Sequence, residues 1–369
     1  MKRKILFYIS NLTCGGAERV VCNLANHFCG LGYEIIVLTD RKDEEEFILN
    51  DQVKRTVLPI REGNGRLKDA VGRIQDIRSV FTRECPDIII SFANKCNLKA
   101  LLAGLFIKIP VVPSVRSDPN REYGRKWKGL FAKLLFLSAD SVIFQTEQAR
   151  QYFFKKNRDH SVILLNPINK KFMKPLYGNT RKNEIVSAGS LREVKNHEML
   201  IRAFAKISSQ IPDYILTIYG EGELRDHLLN VAEECGVGSK FFLPGICDEL
   251  ENKMASSRLF VLSSNTEGMP NALMEAMSLG LAVISTDCPC GGPAQLIRNG
   301  ENGFLVPVGD VEALAEKMLL VLSDRELENK LHEQAHLIQK KYNSENVLEE
   351  WRIFIETVVK KQKGGHQTF

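Results

Sequence analysis

The stretch Ser263–Thr286 has the sequence SSNTEGMPNALMEAMSLGLAVIST and decides the fold class of this chain. An apolar run, Leu259–Leu262, precedes it, and a second run, Ala282–Ser285, lies near its end. Short apolar runs bounded by turn residues are typical of buried strands. Between them, Ala272–Leu279 has apolar residues at helical spacing, with a proline at the first turn and a glycine after the end. The order strand, loop, helix, strand predicts a parallel α/β sheet.

The start of this helix predicts an anion site. Backbone N–H groups around Gly268–Asn271 would point out of the helix N-terminus, where phosphate groups bind. Two carboxylates flank it, Glu267 in the loop and Glu275 eight positions later in the helix. A phosphate-binding helix end between two acceptors for hydroxyl groups suits a nucleotide-sugar. The alternative is that Glu267 is a solvated loop residue and Glu275 a surface helix residue.

The composition narrows the class of protein. A length of 369 residues predicts two domains. The 44% of hydrophobic and 26% of charged residues are ordinary for a globular protein. A net charge of +5 is too mild for a nucleic-acid-binding domain, so we expect no nucleic-acid partner.

The cysteines and apolar runs predict a cytoplasmic protein. The nine cysteines include no C-x-x-C pair, and Cys288 and Cys290 are the only close pair. We therefore expect no disulfide framework and a reducing compartment. The opening MKRKILFYIS has an apolar run too short for a signal peptide and predicts a first strand. No run of the sequence approaches the roughly 18 to 20 apolar residues of a membrane span.

The first half of the chain alternates strand-like and helix-like segments. Strands are predicted at Lys4–Ile9, Glu34–Leu38, Val53–Leu58, Asp87–Ser91, Val111–Ser114, Ser141–Phe144 and Ser161–Leu164. Helices are predicted at Ala17–Cys29, Leu67–Glu84, Leu98–Phe106, Lys126–Leu137 and Glu147–Phe154. This alternation predicts a parallel sheet with helices on both faces.

A polar stretch, Asn169–Asn183, interrupts the alternation and predicts a domain linker. A helix follows at Asn196–Ile207, and the chain from Asp310 is helical as far as a last helix, Ser344–Lys361. The further strands are predicted at Glu184–Ala188, Tyr214–Tyr219, Phe241–Leu243, Leu259–Leu262, Ala282–Ser285 and Gly303–Val306. We expect the tail Gly364–Phe369 to be disordered.

The predicted domains are residues 1–168 and 169–343, followed by a last helix over 344–362. Two doubly wound halves in series would leave a crevice between them. Ligands of open α/β sheets bind at the carboxyl ends of the strands, facing such a crevice.

The first loop, Asn11–Arg19, lies between a strand and a helix. Its paired glycines, Gly15 and Gly16, allow a ligand to approach the backbone, and the helix N-terminus favours phosphate. The alternative is a tight strand-to-helix turn, with Glu18 and Arg19 on the helix surface.

A second loop, within Ser187–His197, follows the first strand of the second half. Its cations, Arg192 and Lys195, could neutralise a diphosphate leaving group as its bond to the sugar breaks. The alternative is a solvated basic loop.

The segment Tyr219–Leu224 contains a third candidate loop, with Gly220 and Gly222. A lone G-x-G is a weak signal, and the third glycine of a dinucleotide fingerprint is missing. The sequence therefore does not support NAD binding.

The sequence EGMPNALMEAMSLGLAVIST resembles the signature of glycosyltransferase family 4, retaining sugar-nucleotide transferases of the GT-B fold. That fold has two Rossmann-like, doubly wound domains facing a central cleft, and its closing helix crosses back to the N-terminal domain. The string GGAER, Gly15–Arg19, resembles the family's loop at the acceptor and donor-phosphate cleft. The second loop resembles the family pattern G-R-L-x-x-x-K, in which Lys195 matches the lysine. Ser190 stands in place of the arginine, and Arg192 is the candidate replacement.

The resemblance also implies roles within the donor site. Glu267 would accept hydrogen bonds from donor-sugar hydroxyls, Glu275 would bind the ribose hydroxyls, and Leu273 would approach the phosphates. Gly220 and Gly222 match the family's G-x-G loop, and Ile246 and Cys247 would contact the base through backbone groups. The residues that would wrap the sugar and phosphates are Gly268, Met269, Pro270 and Asn271. The implied reaction retains the anomeric configuration, with the leaving phosphate helping to deprotonate the acceptor.

The chain has no Asp-x-Asp motif, which metal-dependent sugar transferases often use to hold a divalent ion. Basic residues could supply the same charge, so we expect metal-independent transfer from a UDP-sugar, without a cofactor.

A departure from the family lies near Val111–Pro119. Many members carry a histidine here that contacts the donor sugar, whereas Arg116 takes that place in this chain. Arg116 could hold a phosphate or an acidic sugar, and Asp118 could bind an acceptor hydroxyl.

The stretch Arg121–Leu137, REYGRKWKGLFAKLLFL, mixes basic with aromatic and aliphatic residues. Such an amphipathic stretch suits an anionic membrane surface, and lipid-linked acceptors are frequent in the family. The alternative is an ordinary helix with its apolar side in the core. We expect a peripheral protein at the inner face of the cytoplasmic membrane.

The motif H-E-x-x-H at His332–His336 matches the zinc-protease helix but lacks a nearby third ligand. We therefore expect a retaining glycosyltransferase that uses a nucleotide-sugar and a saccharide acceptor, carried on a polyprenyl diphosphate, in bacterial surface polysaccharide synthesis. The alternatives are a transferase with a soluble acceptor, a zinc peptidase and a catalytically silent nucleotide-sugar-binding protein.

Overall fold

The computed structural model describes residues 3–13, 15–61, 65–178 and 180–364. Cys14 of the first loop and the end of the predicted disordered tail, residues 365–369, lie outside the described residues. The chain divides into two compact units. Unit 1 comprises residues 1–166 and 347–369, and unit 2 comprises residues 167–346.

Unit 1 is built on seven parallel strands. The strands are β1 (Lys4–Ile9), β2 (Glu34–Thr39), β3 (Lys54–Val57), β4 (Ile88–Phe92), β5 (Val111–Ser114), β6 (Val142–Phe144) and β7 (Ser161–Ile163). Their order in the sheet is β3-β2-β1-β4-β5-β6-β7, and every pairing is parallel. The central strand β4 is buried along its whole length, as expected for a sheet that is covered on both faces.

The helices of the first half connect these strands. They are α1 (Gly16–Gly30), α2 (Arg66–Glu84), α3 (Asn94–Gly104), α4 (Pro119–Glu122), α5 (Trp127–Phe136), α6 (Glu147–Gln151) and α7 (Lys155–Asp159). The predicted helix Glu147–Phe154 is wrong in its second half. The chain leaves the helix at Tyr152, because Phe153 turns into a cluster of aromatic rings that includes Phe136 and Phe144.

Unit 2 repeats the pattern with six parallel strands. The strands are β8 (Lys182–Ala188), β9 (Ile215–Tyr219), β10 (Phe241–Gly245), β11 (Ser257–Leu262), β12 (Ala282–Thr286) and β13 (Phe304–Val306). The helices are α8 (His197–Ile207), α9 (Arg225–Glu234), α10 (Leu250–Ala255), α11 (Asn271–Ser278), α12 (Gly292–Leu296), α13 (Val311–Ser323), α14 (Arg325–His336) and α15 (Ile338–Tyr342). The strand order is β10-β9-β8-β11-β12-β13.

The last helix, α16 (Ser344–Gly364), belongs mostly to unit 1. Its buried residues Val347, Trp351, Ile355 and Val359 are four positions apart and join the core of β1, β2 and β4. The indole N–H of Trp351 donates to the carbonyl oxygen of Leu165 at 3.2 Å.

The structure confirms the predicted α/β class, with two doubly wound parallel sheets. The predicted linker Asn169–Asn183 is not a free connection, however. Lys170–Phe172 forms a short 3-10 turn, Phe172 is buried, and Lys182 and Asn183 already belong to β8. The chain therefore enters unit 2 at Pro167.

Among the described helices, none combines the length and the hydropathy that a membrane crossing requires.

Candidate active site

The strand order of unit 2 reverses between β8 and β11, which are hydrogen-bonded neighbours. The loops after two such strands separate at the carboxyl edge of the sheet, and this is where ligands bind in open α/β sheets. The sequence places Gly189–Asn196 after β8 and Ser263–Pro270 after β11. Both predicted donor loops thus lie at the same switch point.

Backbone and amide contacts join the two loops. The backbone N–H of Asn265 donates to the carbonyl oxygen of Val194 at 2.8 Å, and the Asn265 amide donates to that of Glu193 at 3.2 Å. The Ser263 hydroxyl donates to the carbonyl oxygen of Lys195 at 3.0 Å, and the Asn196 amide donates to the Asn265 side chain at 2.9 Å. These hydrogen bonds join Gly189–Asn196 and Ser263–Pro270 into one rigid surface at the switch point, which we call the ledge.

Glu267 and Lys195 meet on this ledge. The Lys195 ammonium lies 2.6 Å from Glu267 Oε1, and the Ser264 hydroxyl donates to the same oxygen at 2.7 Å. The side chains are 21% and 14% exposed for Lys195 and Glu267 respectively, so the pair is shielded yet reachable by a ligand. One cation and one carboxylate at a ligand edge can bind a phosphate and a hydroxyl side by side.

The helix of the motif is buried around its whole circumference. Met269, Leu273 and Glu275 are no more than 5% exposed, and Pro270 caps α11 before Asn271. The alternative of Glu275 as a surface helix residue is therefore wrong, because its neighbours bury it to 4% exposure. A carboxylate at this depth requires polar or charged partners, because burying an unpaired charge is costly.

The loop of the motif contacts the end of β12 and the segment that follows this strand. Thr266 Oγ1 donates to the carbonyl oxygen of Pro289 at 3.3 Å, and Thr286 Oγ1 donates to that of Ser264 at 2.6 Å. A Cβ on Gly292 would lie 1.6 Å from the carbonyl oxygen of Gly268. Only glycine allows this backbone contact, which fixes the turn before α11.

The other predicted donor residues lie on neighbouring loops of unit 2. Gly220 has a φ of 147°, and a Cβ there would lie 2.0 Å from the carbonyl oxygen of Gly189. Gly222 packs in the same way on the backbone of Leu191. These glycines therefore support the loop after β8. Ile246 follows β10 and is 72% exposed.

Ser190 and Arg192 lie in the loop after β8, before Lys195. Ser190 is half-buried and Arg192 is exposed. Both residues stay predictions for the donor site.

His197, the first residue of α8, was missed by the sequence reasoning. It is 4% exposed, and its ring lies beside the backbone of Ser190. Burial and the charge of Lys195 lower the pKa of the His197 imidazole to about 4. The signal that could have found it is a histidine directly after the loop lysine, at a helix start.

Unit 1 contains the remaining predicted site residues. Gly15 and Gly16 stand at the start of α1, after β1, and Gly15 is the N-cap. Glu18, in the first turn of that helix, is half-buried, and burial raises the pKa of its carboxyl.

Arg116 follows β5 and is held in place by unit 1. Its guanidinium donates to the Asn166 side chain, lies 3.5 Å from Ser114 Oγ and packs over the Phe92 ring at 5.3 Å. Burial lowers the pKa of this guanidinium to about 9. Gln145 donates to the same Asn166 oxygen at 2.9 Å, so Arg116 belongs to a polar cluster at the carboxyl edge of the sheet.

Asp118 caps the short helix α4 by accepting from the backbone N–H of Asn120 at 3.0 Å. Sequence reasoning missed Glu122 at the end of that helix. Burial, with the nearby charge of Asp118, raises the pKa of Glu122 to about 7, and its Oε2 is buried without a described partner.

Two family models match the chain one after the other. Residues 14–172 match the model described as Glycosyltransferase Family 4, and residues 169–337 match the model described as Glycosyl transferases group 1. The chain is a glycosyltransferase, with a family 4 domain followed by a group 1 domain.

The relatives of this transferase include bacterial enzymes of similar length. An N-acetyl-D-galactosaminyltransferase from Campylobacter jejuni, whose name gives an undecaprenol-linked acceptor, is 26% identical and covers 96% of this chain and 99% of its own. An uncharacterized glycosyltransferase from Haemophilus influenzae is 25% identical and covers 95% of this chain and 99% of its own.

Solved structures show the same fold. Sucrose-phosphate synthase from Thermosynechococcus elongatus aligns with a TM-score of 0.83 at 16% identity, over 97% of this chain and 99% of its own. Anabaena Alr3699/HepE, solved with UDP and glucose, aligns with a TM-score of 0.81 at 18% identity, over 96% of this chain and 100% of its own. The transferase therefore has the GT-B fold.

The H-E-x-x-H motif of the transferase has structural contacts. His332 Nδ1 lies 2.6 Å from the carbonyl oxygen of Gly280, and its Nε2 lies 3.1 Å from Glu328 Oε1. His336 Nδ1 lies 2.7 Å from the carbonyl oxygen of Ser278. Within the described ranges, no group of three or more His, Cys, Asp or Glu side chains could hold a metal ion. The two histidines attach α14 to the end of α11.

Proposed function

We propose that this glycosyltransferase moves a sugar from a UDP-sugar to a saccharide acceptor with retention of the anomeric configuration. The observation that carries the proposal is the Lys195–Glu267 pair, at 2.6 Å, on the rigid ledge of the unit 2 switch point. The buried helix α11 starts from the same ledge. A ligand with a diphosphate and a hydroxylated sugar matches this combination of groups.

The roles follow from charge and position. Lys195, assisted by Arg192, would neutralise the diphosphate as the bond to the sugar breaks, which stabilises developing negative charge. Glu267 would exchange its contact with Lys195 for sugar hydroxyls when the donor enters. Glu275 would accept from the ribose. A leaving phosphate stabilised in this way can take the acceptor proton, and we propose that no divalent metal is required.

The proposed acceptor is a saccharide on a polyprenyl diphosphate, used in bacterial surface polysaccharide synthesis. Two Campylobacter jejuni relatives support this class, because the names of both give undecaprenol-linked acceptors. The second relative is 28% identical over 88% of this chain. Arg116, whose guanidinium lies at the carboxyl edge of the unit 1 sheet, would face an anionic or hydroxylated acceptor together with Asp118. We also propose that the enzyme works at the inner face of the cytoplasmic membrane, where such a lipid is found.

A soluble acceptor is the second candidate. N-acetyl-α-D-glucosaminyl L-malate synthase from Bacillus anthracis is 27% identical over 52% of this chain, and its name gives a small soluble product.

Nucleotide-dependent thermal stabilisation tests the donor proposal. A ligand at a hundred times its dissociation constant stabilises the folded protein by about 2.7 kcal/mol. We expect UDP, rather than GDP, ADP or NAD, to raise the melting temperature, and EDTA to leave this shift unchanged. The shift should weaken in Glu275→Ala and Lys195→Met, each compared with its own ligand-free form.

Glu301→Gln is the matched control, because this carboxylate is 67% exposed and pairs with Arg298 at the surface. Its UDP shift should equal that of the wild type. If none of the nucleotides raises the melting temperature, the donor proposal is overturned. If EDTA abolishes the shift caused by UDP, the proposal of metal independence is overturned.

A further inference from the structure

Helix α5 turns an apolar face to the outside of unit 1. The exposed fractions are 83% for Trp127, 41% for Leu130, 56% for Phe131 and 53% for Leu134. These positions follow the spacing i, i+3, i+4 and i+7, so they form one stripe along the helix. We call the four residues the α5 face.

The opposite side of α5 accounts for its packing in unit 1. The buried residues of the helix are Gly129, Ala132 and Phe136. Phe136 packs on Phe153 with a ring distance of 4.5 Å. Small residues and one ring fix the helix, whereas the larger apolar side chains of the α5 face remain in water. The alternative of an ordinary core-facing helix is therefore wrong for α5.

Positive charge surrounds the α5 face. Arg125, Lys126 and Lys128 are exposed around the first turn of the helix. Lys133, on the helix itself, lies 4.2 Å from the centre of the Tyr152 ring. The sequence contains no aspartate or glutamate between Glu122 and Asp140. Clustered cations beside exposed aromatic and aliphatic side chains match the chemistry of a bilayer surface with anionic lipids.

We propose that α5 docks unit 1 on an anionic membrane surface, with the α5 face entering the boundary between headgroups and acyl chains. Arg125, Lys126 and Lys128 would then lie against the lipid phosphates. A helix of ten residues, roughly 15 Å long, suits an orientation parallel to the membrane plane. Tryptophan is enriched at this depth of bilayers, which matches the position of Trp127 at the helix start.

The docking site also specifies where the proposed acceptor is met. Arg116 and Asp118 precede α5 in the chain, and both lie in unit 1. Docking through α5 would hold this unit at the surface that carries a lipid-linked saccharide. This consequence rests on the proposed function, whereas the docking itself rests on exposure and charge.

Vesicle co-sedimentation of the full chain tests the proposal. We expect binding to vesicles of phosphatidylcholine with about a third of phosphatidylglycerol, weaker binding at high salt, and little binding to phosphatidylcholine alone. The Trp127 emission should shift to shorter wavelength on binding. The other tryptophan, Trp351, is fully buried and gives a constant background.

Two double variants separate the apolar and the charged contributions. Phe131→Ser with Leu134→Ser should reduce binding at all salt concentrations. Lys126→Glu with Lys128→Glu should reduce it by at least about tenfold at low salt. Ile48→Ser is the control, because Ile48 is 87% exposed elsewhere in unit 1 and should leave binding unchanged. Circular dichroism of each variant verifies the fold.

Absence of binding to anionic vesicles, or binding that both double variants retain, would overturn the proposal. A concentration-dependent dimer that is lost in the Phe131→Ser, Leu134→Ser variant, without vesicle binding, would assign the face to a second copy of the chain and also overturn it. The vesicles contain no acceptor or donor, so failure here is distinguishable from failure of the UDP stabilisation.

Discussion

His197 connects the pH of the solution to the stability of unit 2. The ring is buried next to the loop that contains Lys195, and its pKa of about 4 is below the usual value of 6.5. In the unfolded chain the same ring would have its usual pKa. At a pH between these two pKa values, the unfolded chain therefore binds a proton at His197 more readily than the folded protein does. The buried site of the folded protein favours the neutral ring.

The resulting prediction is a loss of stability in mild acid. Above about pH 6.5, His197 is neutral in both states and has no effect. As the pH falls from there to about 4, the free energy of unfolding should decrease by about 1.4 kcal/mol per pH unit, or roughly 3 kcal/mol in all. Urea unfolding between pH 7.5 and 4.5 measures the effect, and an NMR titration of the His197 ring gives the folded pKa directly.

His197→Phe should flatten this pH dependence, because it replaces the imidazole with an aromatic ring that does not titrate. His160→Gln, which changes an exposed side chain, should leave the dependence as it is in the wild type. A folded-state pKa near 6.5 for His197 would contradict the prediction.

For Lys195 and Glu267, the local sequence could predict a role in the donor site but not the contact between them. Their residue types and the family resemblance predicted a donor site, and the structure places them 2.6 Å apart although 72 positions separate them in the chain. The pairing depends on the β8–β11 switch point, which is a property of the sheet order. Local patterns could not supply that order, so the contact between the two side chains was not predicted.

At the scale of elements, the short helix α12 fixes the loop that precedes α11. Gly292 approaches the backbone of Gly268 too closely for any other residue. Gly292→Ala should therefore displace the turn from Glu267 to Pro270. We expect a loss of several-fold or more in UDP affinity together with a destabilisation of about 1 to 3 kcal/mol. Thermal unfolding with and without UDP measures both.

Gly178→Ala is the control for this substitution, since a Cβ at Gly178 meets no atom within 4 Å. It should change neither the melting temperature nor the UDP shift by a measurable amount. Equal behaviour of the two alanine variants would show that the Gly268–Gly292 contact is dispensable.

Element types were predictable because the apolar patterns are strong. The strand Ala282–Ser285 and the helix Ala272–Leu279 agree with β12 and α11 to within a residue or two at each end. The burial of Glu275 was not predictable, because α11 is covered on all sides and a charged residue in a helix usually marks the solvent side. The exposed face of α5 required the structure for the opposite reason: apolar spacing alone cannot tell a face that packs on the core from one that does not.

At the scale of the molecule, unit 1 is built from two separate parts of the chain. Helix α16 returns after the whole of unit 2 and inserts Trp351 into the core of residues 1–166. The indole stacks on Phe92 with a ring distance of 6.1 Å and a tilt of 16°. Phe92 is also the ring under the Arg116 guanidinium, at 5.3 Å. The end of the chain thus supports the carboxyl edge of the unit 1 sheet, where the proposed acceptor residues lie.

Removal of this support should destabilise unit 1 in particular. Trp351→Ala should cost about 3 to 5 kcal/mol, because it removes a fully buried indole and leaves a cavity beside Phe92. Hydrogen exchange by mass spectrometry can locate the effect. Peptides from β4 and β5 should exchange faster in the variant, whereas those from β8 and β11 in unit 2 should keep their wild-type rates. Ile353→Ala is the control, since Ile353 lies on the same helix and is 54% exposed; it should change the stability by less than about 0.5 kcal/mol. Faster exchange spread evenly over both units would show that the chain unfolds as one cooperative body, and it would contradict a stabilising effect confined to unit 1.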